Sequence, residues 1–139
     1  AFPDTRAGES PDKPGTQVRY WSICQNDQVS PYPVVACAAD FQTALDANGY
    51  YTYVIATPED LPARAKSDSS VTVLPWGSTA PRKVVLLRNM LPTPGFNQTV
   101  QAAQGSANPA AVMGDYYPQT TYCAASTFQS GGAAACFGS

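Results

Sequence analysis

The chain has 139 residues, only 13% of them charged, with a formal net charge of -2 and no histidine. That length suits one domain, which buries roughly two-thirds of the surface its unfolded form exposes. The charge inventory leaves no basic footprint for nucleic acid and no polybasic patch for an anionic membrane. The longest apolar run, VVLLRNML, is interrupted by Arg88 and falls far short of the roughly 20 residues that a spanning helix requires.

Residues 1–16, AFPDTRAGESPDKPGT, combine three prolines, two glycines and five charged side chains. Such a stretch has no apolar period to bury and predicts an extended arm or linker, ordered by docking on something else. Beginning at Ala1 without a charged and then apolar leader, the chain has the look of a processed form or an excised piece. QVRYWSIC, residues 17–24, carries apolar bulk on both alternating faces and predicts a strand covered on both sides. QNDQVSPYP follows as a loop, and VVACAADF as a short second strand. In LDANGYYTYVIAT the Asn48-Gly49 pair stands before a β-rich run, the strongest short hairpin signal because both turn positions require positive φ.

TPEDLPARAKSDSS, residues 57–70, is polar with two prolines and predicts a long surface loop. VTVLPWG and then KVVLLRNML return to strand character, the latter most strongly, before Pro92 and Pro94 end it. FNQTVQAAQ, residues 96–104, offers one short helix with Asn97 as its N-cap. The remainder shows little periodicity and ends in the near low-complexity STFQSGGAAACFGS. The expected fold is therefore all-β, an antiparallel β-sandwich or jelly roll with one short helix and long irregular loops. Its expected divisions are an arm over 1–16, a sandwich core over 17–104 and a carboxy-terminal extension over 105–139 tied by a disulfide.

Four cysteines, Cys24, Cys37, Cys123 and Cys136, form two pairs with the same spacing of thirteen. Zinc sites favour short Cys-x-x-Cys steps and often histidine, and this chain has neither, so disulfides are the expectation and no metal or cofactor is assigned. Three connectivities are open; the expected pairing is Cys24 with Cys37 and Cys123 with Cys136, each closing a loop worth about 3 kcal/mol in the chain-entropy model. Disulfides place the chain in an oxidising compartment, secreted or on the exterior of the cell envelope.

In order, YWSIC, NGYYTYVIATP, VTVLPWG and VVLLRNMLP resemble the carboxy-terminal jelly-roll domain of a widespread bacterial family of unknown function. The matching positions are Trp21-Ser22, Asn48-Gly49, Pro58, Leu74-Pro75, and Arg88 with Leu91 and Pro92, over residues 17–94. The WS-x-C, YPVV-x-C and MGDYYP stretches are similar to exported actinobacterial proteins of unassigned function. The resemblance implies a jelly roll, an exported location, and a domain that usually follows another β-rich domain. It implies no catalytic residues.

Candidate sites follow from residue chemistry. Arg88 shares a strand face with Val84, Leu86 and Met90, where a guanidinium must be paired or reach water; Asp40 or Asp46 would be structural partners, and a bound carboxylate or phosphate the functional one. Trp21 suits a core. Trp76, between proline and glycine, suits a ligand-facing position as well. Tyr116 and Tyr117 beside Asp115 would stack on and hydrogen-bond a sugar, or staple the tail to the core. Without histidine, Ser-His-Asp and Cys-His catalysis are excluded within the chain, and no aspartate or glutamate spacing predicts a facing carboxylate pair. QNDQ is too sparse for a calcium loop. Asn97-Gln98-Thr99 fits a glycosylation acceptor. The balance favours a non-enzymatic binding or assembly module, standing alone or as the carboxy-terminal part or subunit of a larger protein. Its partner would be another protein or a preceding domain. A carbohydrate- or small-anion-binding module built on Trp76, Arg88, Asp115, Tyr116 and Tyr117 is the alternative, and a carboxylate-based hydrolase comes third.

Overall fold

A computed structural model describes residues 3–5 and 16–138. Ten consecutive β-forming and polar residues make the first strand, β1 (Val18–Asp27), which lies at the centre of a three-stranded antiparallel sheet in the order β2-β1-β5. On one side it pairs with β2 (Val34–Ala39) after the loop over residues 28–33, and on the other with β5 (Lys83–Pro92). The register sets Cys24 directly opposite Cys37, and the two are disulfide-bonded with Cα atoms 4.0 Å apart. Two further strands, β3 (Thr52–Ala56) and β4 (Val71–Pro75), pair with each other in parallel.

Trp21, Ile23 and Leu87 point from the first sheet into a core shared with Leu74, Tyr51, Tyr53 and Ile55 of the second layer. Trp21 is 1% exposed. Its ring lies 5.0 Å from that of Tyr51 and 6.2 Å from that of Tyr53, and edge-to-face or offset contacts of this kind add to the burial of large apolar area.

The all-β sandwich expectation is overturned. The described residues are 26% helical and 29% strand, with two small sheets, one antiparallel and one parallel, and four short helices among them. Two local causes account for the difference. First, Asn48-Gly49 does turn the chain, with Gly49 at φ 79°, but the Asp46 carboxylate accepts the Asn48 and Tyr50 amides at 2.8 and 2.9 Å and closes the loop on itself. β3 thus leaves the loop free of β2 and pairs with β4 instead. Parallel partners need a crossover of a dozen residues or more. The 57–70 stretch supplies it, and within it Ala63–Ser67 forms helix α1 rather than surface loop.

Second, the alanine-rich tail is helical. Alanine has the highest helix propensity, so a run without hydrophobic periodicity still winds once tertiary contacts anchor it. α2 (Val100–Ala103) begins at Thr99, whose Oγ1 accepts the Ala102 amide at 3.0 Å, and not at the expected cap Asn97. Asn108 caps α3 (Pro109–Met113), where Pro109 enters the first turn with its φ already set. α4 (Ala125–Phe137) is kinked at Gly132 and spanned by the Cys123–Cys136 disulfide. Arg64 of α1 docks across the kink, donating to the Ser130 carbonyl at 3.1 Å while its backbone amide meets Gln129 Oε1 at 3.0 Å.

Most of the predicted 1–16 arm lies outside the described residues. Of the part described, Pro3 and Thr5 are buried, and Asp4 forms a short ladder with the start of β1: its carbonyl accepts the Gln17 amide at 2.7 Å, and its own amide donates to Gln17 Oε1 at 2.7 Å. These residues dock on the chain's own sheet. From Trp21 to Asp27 every residue of β1 is buried, on both alternating faces, as its two-faced apolar pattern predicted; on the face away from Trp21, solvent reaches the flanking strands at Val34, Cys37, Leu86, Arg88 and Met90.

Candidate functional site

That far face is built by strand alternation. Tyr20, Ser22, Cys24 and Asn26 of β1 share it with Met90, Arg88, Leu86 and Val84 of β5, each opposite its partner in that order. From β2 it receives Ala39 and Cys37; a bulge between Gln25 and Asn26 then shifts the register and brings Val34 onto the same face opposite Asn26. The central row of this face is buried, with Ser22 1%, Cys24 4% and Asn26 3% exposed, and so is Ala39 of β2. Solvent reaches the face on parts of the flanking strands, where Val34 is 57% exposed, Met90 50% and Leu86 36%. Arg88 is exposed among them and bonds to neither Asp40 nor Asp46, whose carboxylates accept local backbone amides. A guanidinium thus stands between the exposed Leu86 and Met90 on β5, beside the buried central strand that the Cys24–Cys37 bridge ties to β2.

The opposite end of β1 carries the densest polar cluster. Asp27 pairs across the ladder with Lys83 and forms a salt bridge with it. Ser78 Oγ donates to Asp27 Oδ2 at 2.6 Å, and Lys83 Nζ also reaches Ser78 Oγ at 3.0 Å and the Ser78 carbonyl at 3.3 Å. The Lys83 and Ser78 bonds, in that order, hold the Asp27 carboxyl below its usual range. A serine beside a lysine invites comparison with nucleophilic dyads. Here the serine proton points at a carboxylate that is a weaker base than usual, and all three ammonium hydrogens have acceptors, so no group is placed to deprotonate Ser78. The cluster is a clamp: it ties the loop after Trp76 to the ends of β1 and β5.

Trp76 belongs to this clamp. Its ring lies 5.2 Å from Lys83 Nζ, its Nε1 donates to the Ala80 carbonyl at 3.2 Å, and its own carbonyl accepts from Gln25 Nε2 at 3.1 Å. Gly77 follows at φ 78° against the Val35 side chain, a conformation and a clearance only glycine meets. Tyr116 lies elsewhere. Its hydroxyl accepts from Gln17 Nε2 at 2.9 Å and its ring meets Phe96 edge-on at 5.1 Å, which fixes the segment after α3 to the start of β1. From Gln17 to Gln25 the strand spans roughly 26 Å at about 3.3 Å per residue, so Trp76 and Tyr116 occupy opposite ends of β1. Arg88 lies between them on the solvent face. Asp115 and Tyr117 are exposed beside Tyr116.

A shallow cleft of about 330 Å³ opens between α2 and α3, lined by Val100, Ala103, Pro109 and Met113 with Gln101 and Gln104. Its lining offers no ionisable group. Among the described residues no three acidic or cysteine side chains are grouped to hold a metal ion, and no helix is long and apolar enough to cross a membrane. Thr99, the third residue of the glycosylation tripeptide, is buried as the cap of α2. Sequence reasoning did not single out Leu86, Met90, Cys37 or Val34 as a surface. The signal was present in β5, where a lone arginine in an otherwise apolar alternating row marks a face that reaches water. No family model, no curated protein and no solved structure matches the chain.

Proposed function

We propose that the chain is a binding or assembly module that works through the solvent face of β2-β1-β5, and that it acts outside the cytoplasm, secreted or on the cell-envelope exterior. One observation carries this reading: Leu86 and Met90 are exposed on either side of Arg88, on a sheet held rigid from behind by the Trp21–Tyr51–Tyr53 cluster and within its plane by the Cys24–Cys37 bridge. Exposed apolar side chains grouped on a rigid surface are the kind of feature that binding sites use, and the largest such patch on a monomer is often functional. The two intrachain disulfides are compatible with an extracellular location. A glycan site assembled from Trp76 and Tyr116 has less support, because those rings are engaged with Lys83 and Phe96 at separate ends of β1.

The test is selection from a display library of random peptides long enough to span the sheet. The oxidised native chain is the bait, and a chain carrying Leu86→Lys and Met90→Lys serves for counter-selection. Binders lost on the double variant, and shifting the backbone amide resonances of Val34, Cys37, Leu86 and Met90, are the expected result. Recovery only of peptides that keep their affinity for the double variant, or that map to the α2–α3 cleft, refutes the reading.

A further inference from the structure

Given that reading, the face's own chemistry limits what it takes. We infer that its occupant is an amphipathic segment of another protein presenting one carboxylate among apolar side chains, with the carboxylate placed on Arg88. None of the outward positions of the three strands is acidic, and no carboxylate of the described residues is bonded to Arg88. The guanidinium stands between Leu86 and Met90 with apolar surface on both sides along the strand, and the buried Ser22 and the Cys24–Cys37 bridge form the floor beside it. A purely apolar occupant would strip water from that charge without replacing it, an unpaired burial that costs several kcal/mol. An occupant with a carboxylate at that position gains a forked, charge-assisted pair instead.

A second copy of the same face fits poorly on two counts. Face-to-face stacking brings a guanidinium toward an identical surface with no acid to receive it. The area is also small. Three strands about 4.8 Å apart, over some seven residues rising about 3.3 Å each, give a face on the order of 300 Å². A stable protein–protein interface buries roughly 800 Å² per partner, more than twice what this face offers. The size therefore matches a segment rather than a second globular surface.

The experiment uses the peptides selected on the native chain and measures their affinity for three chains: native, Arg88→Gln and Arg88→Glu, each with a native circular dichroism spectrum. Selected peptides should carry an aspartate or glutamate within an apolar stripe. Their binding should fall about tenfold or more on Arg88→Glu, less on Arg88→Gln, and should weaken as salt is raised. Exchanging the peptide's acid for lysine should reverse the order, so that Arg88→Glu binds the lysine peptide better than the native chain does. Face-binding peptides that lack an acid, or that bind native and Arg88→Glu chains equally, overturn the acidic-segment inference while leaving the binding face in place. An absence of peptides mapping to the face overturns both.

Discussion

Tyr51 and Tyr53 should keep their protons well past the range in which tyrosine ordinarily ionises. Burial against Trp21, with the neighbouring Tyr53 as a second cause, pushes Tyr51 up to about 12. Burial pushes Tyr53 up to about 12 as well, even though the Thr43 hydroxyl, 2.5 Å away, supports its ionised form. In the unfolded chain both return to about 10. Because the folded value is the higher one, the stabilisation they provide is complete below pH 10 and declines as the pH rises from there toward 12. At about 1.4 kcal/mol per unit, two units set a ceiling of ~2–3 kcal/mol for Tyr51, and less for the more open Tyr53. Against a typical domain stability of about 5–15 kcal/mol this is a measurable share. The chain has eight tyrosines, so the assay is a difference: near-ultraviolet tyrosinate absorbance of the native chain minus that of Tyr51→Phe or of Tyr53→Phe. Denaturant unfolding just below pH 10 and again near pH 12 accompanies it. Thr43→Val should move the Tyr53 transition higher still. Difference curves centred near pH 10 in a chain that retains its native circular dichroism would refute the packing argument.

The kink in α4 gives a second prediction. Gly132 sits at φ 68° and ψ -158°, a region essentially restricted to glycine, and an added Cβ would approach the Arg64 guanidinium to 3.2–3.3 Å. Gly132→Ala should cost ~1–3 kcal/mol, with amide exchange accelerated in α1 and α4 ahead of β1; an unchanged unfolding midpoint would contradict the kink geometry. A third concerns acid. Asp27 is held below its usual range by Lys83 and Ser78, so its stabilisation is present above about pH 3.8 and is lost as the pH falls through the depressed value. Asp27→Asn should lower the thermal midpoint near neutrality and flatten its acid limb, whereas parallel acid limbs in the two chains would show that the clamp contributes nothing.

How much of this was legible in the sequence differs from segment to segment. β1, β2 and β5 announce themselves through Val, Tyr, Trp and Ile at strand spacing, and the loop between β1 and β2 through its prolines. The position of Trp21 in the core follows from the same pattern. What local pattern does not encode is partnership. Asn48-Gly49 specifies a turn but not what pairs beyond it, and the Asp46 side chain, which decides that the strand leaves alone, acts through three dimensions. The helices of the tail were hidden for the opposite reason: alanine and glycine carry almost no periodic signal, and winding here depends on Arg64, 66 residues before the Ser130 carbonyl it bonds, and on the bridge from Cys123 to Cys136. For the candidate face, alternation along β5 was visible, but which side water reaches depended on where β3 and β4 settled.

Strand order and chain order disagree at β1, and this has a kinetic cost. β2 follows after six residues, whereas β5 begins only after an intervening fifty-five. Of these, 43 follow the end of β2, so at about 5–20 residues per second the hairpin is complete for roughly 2–9 s of synthesis while one flank of its longest strand lacks a neighbour. An unpaired strand flank is a template for any extended segment that arrives first. The β5 of a second nascent molecule has the right sequence to fill it, so exchange of that strand between two chains is the misassembly this topology invites.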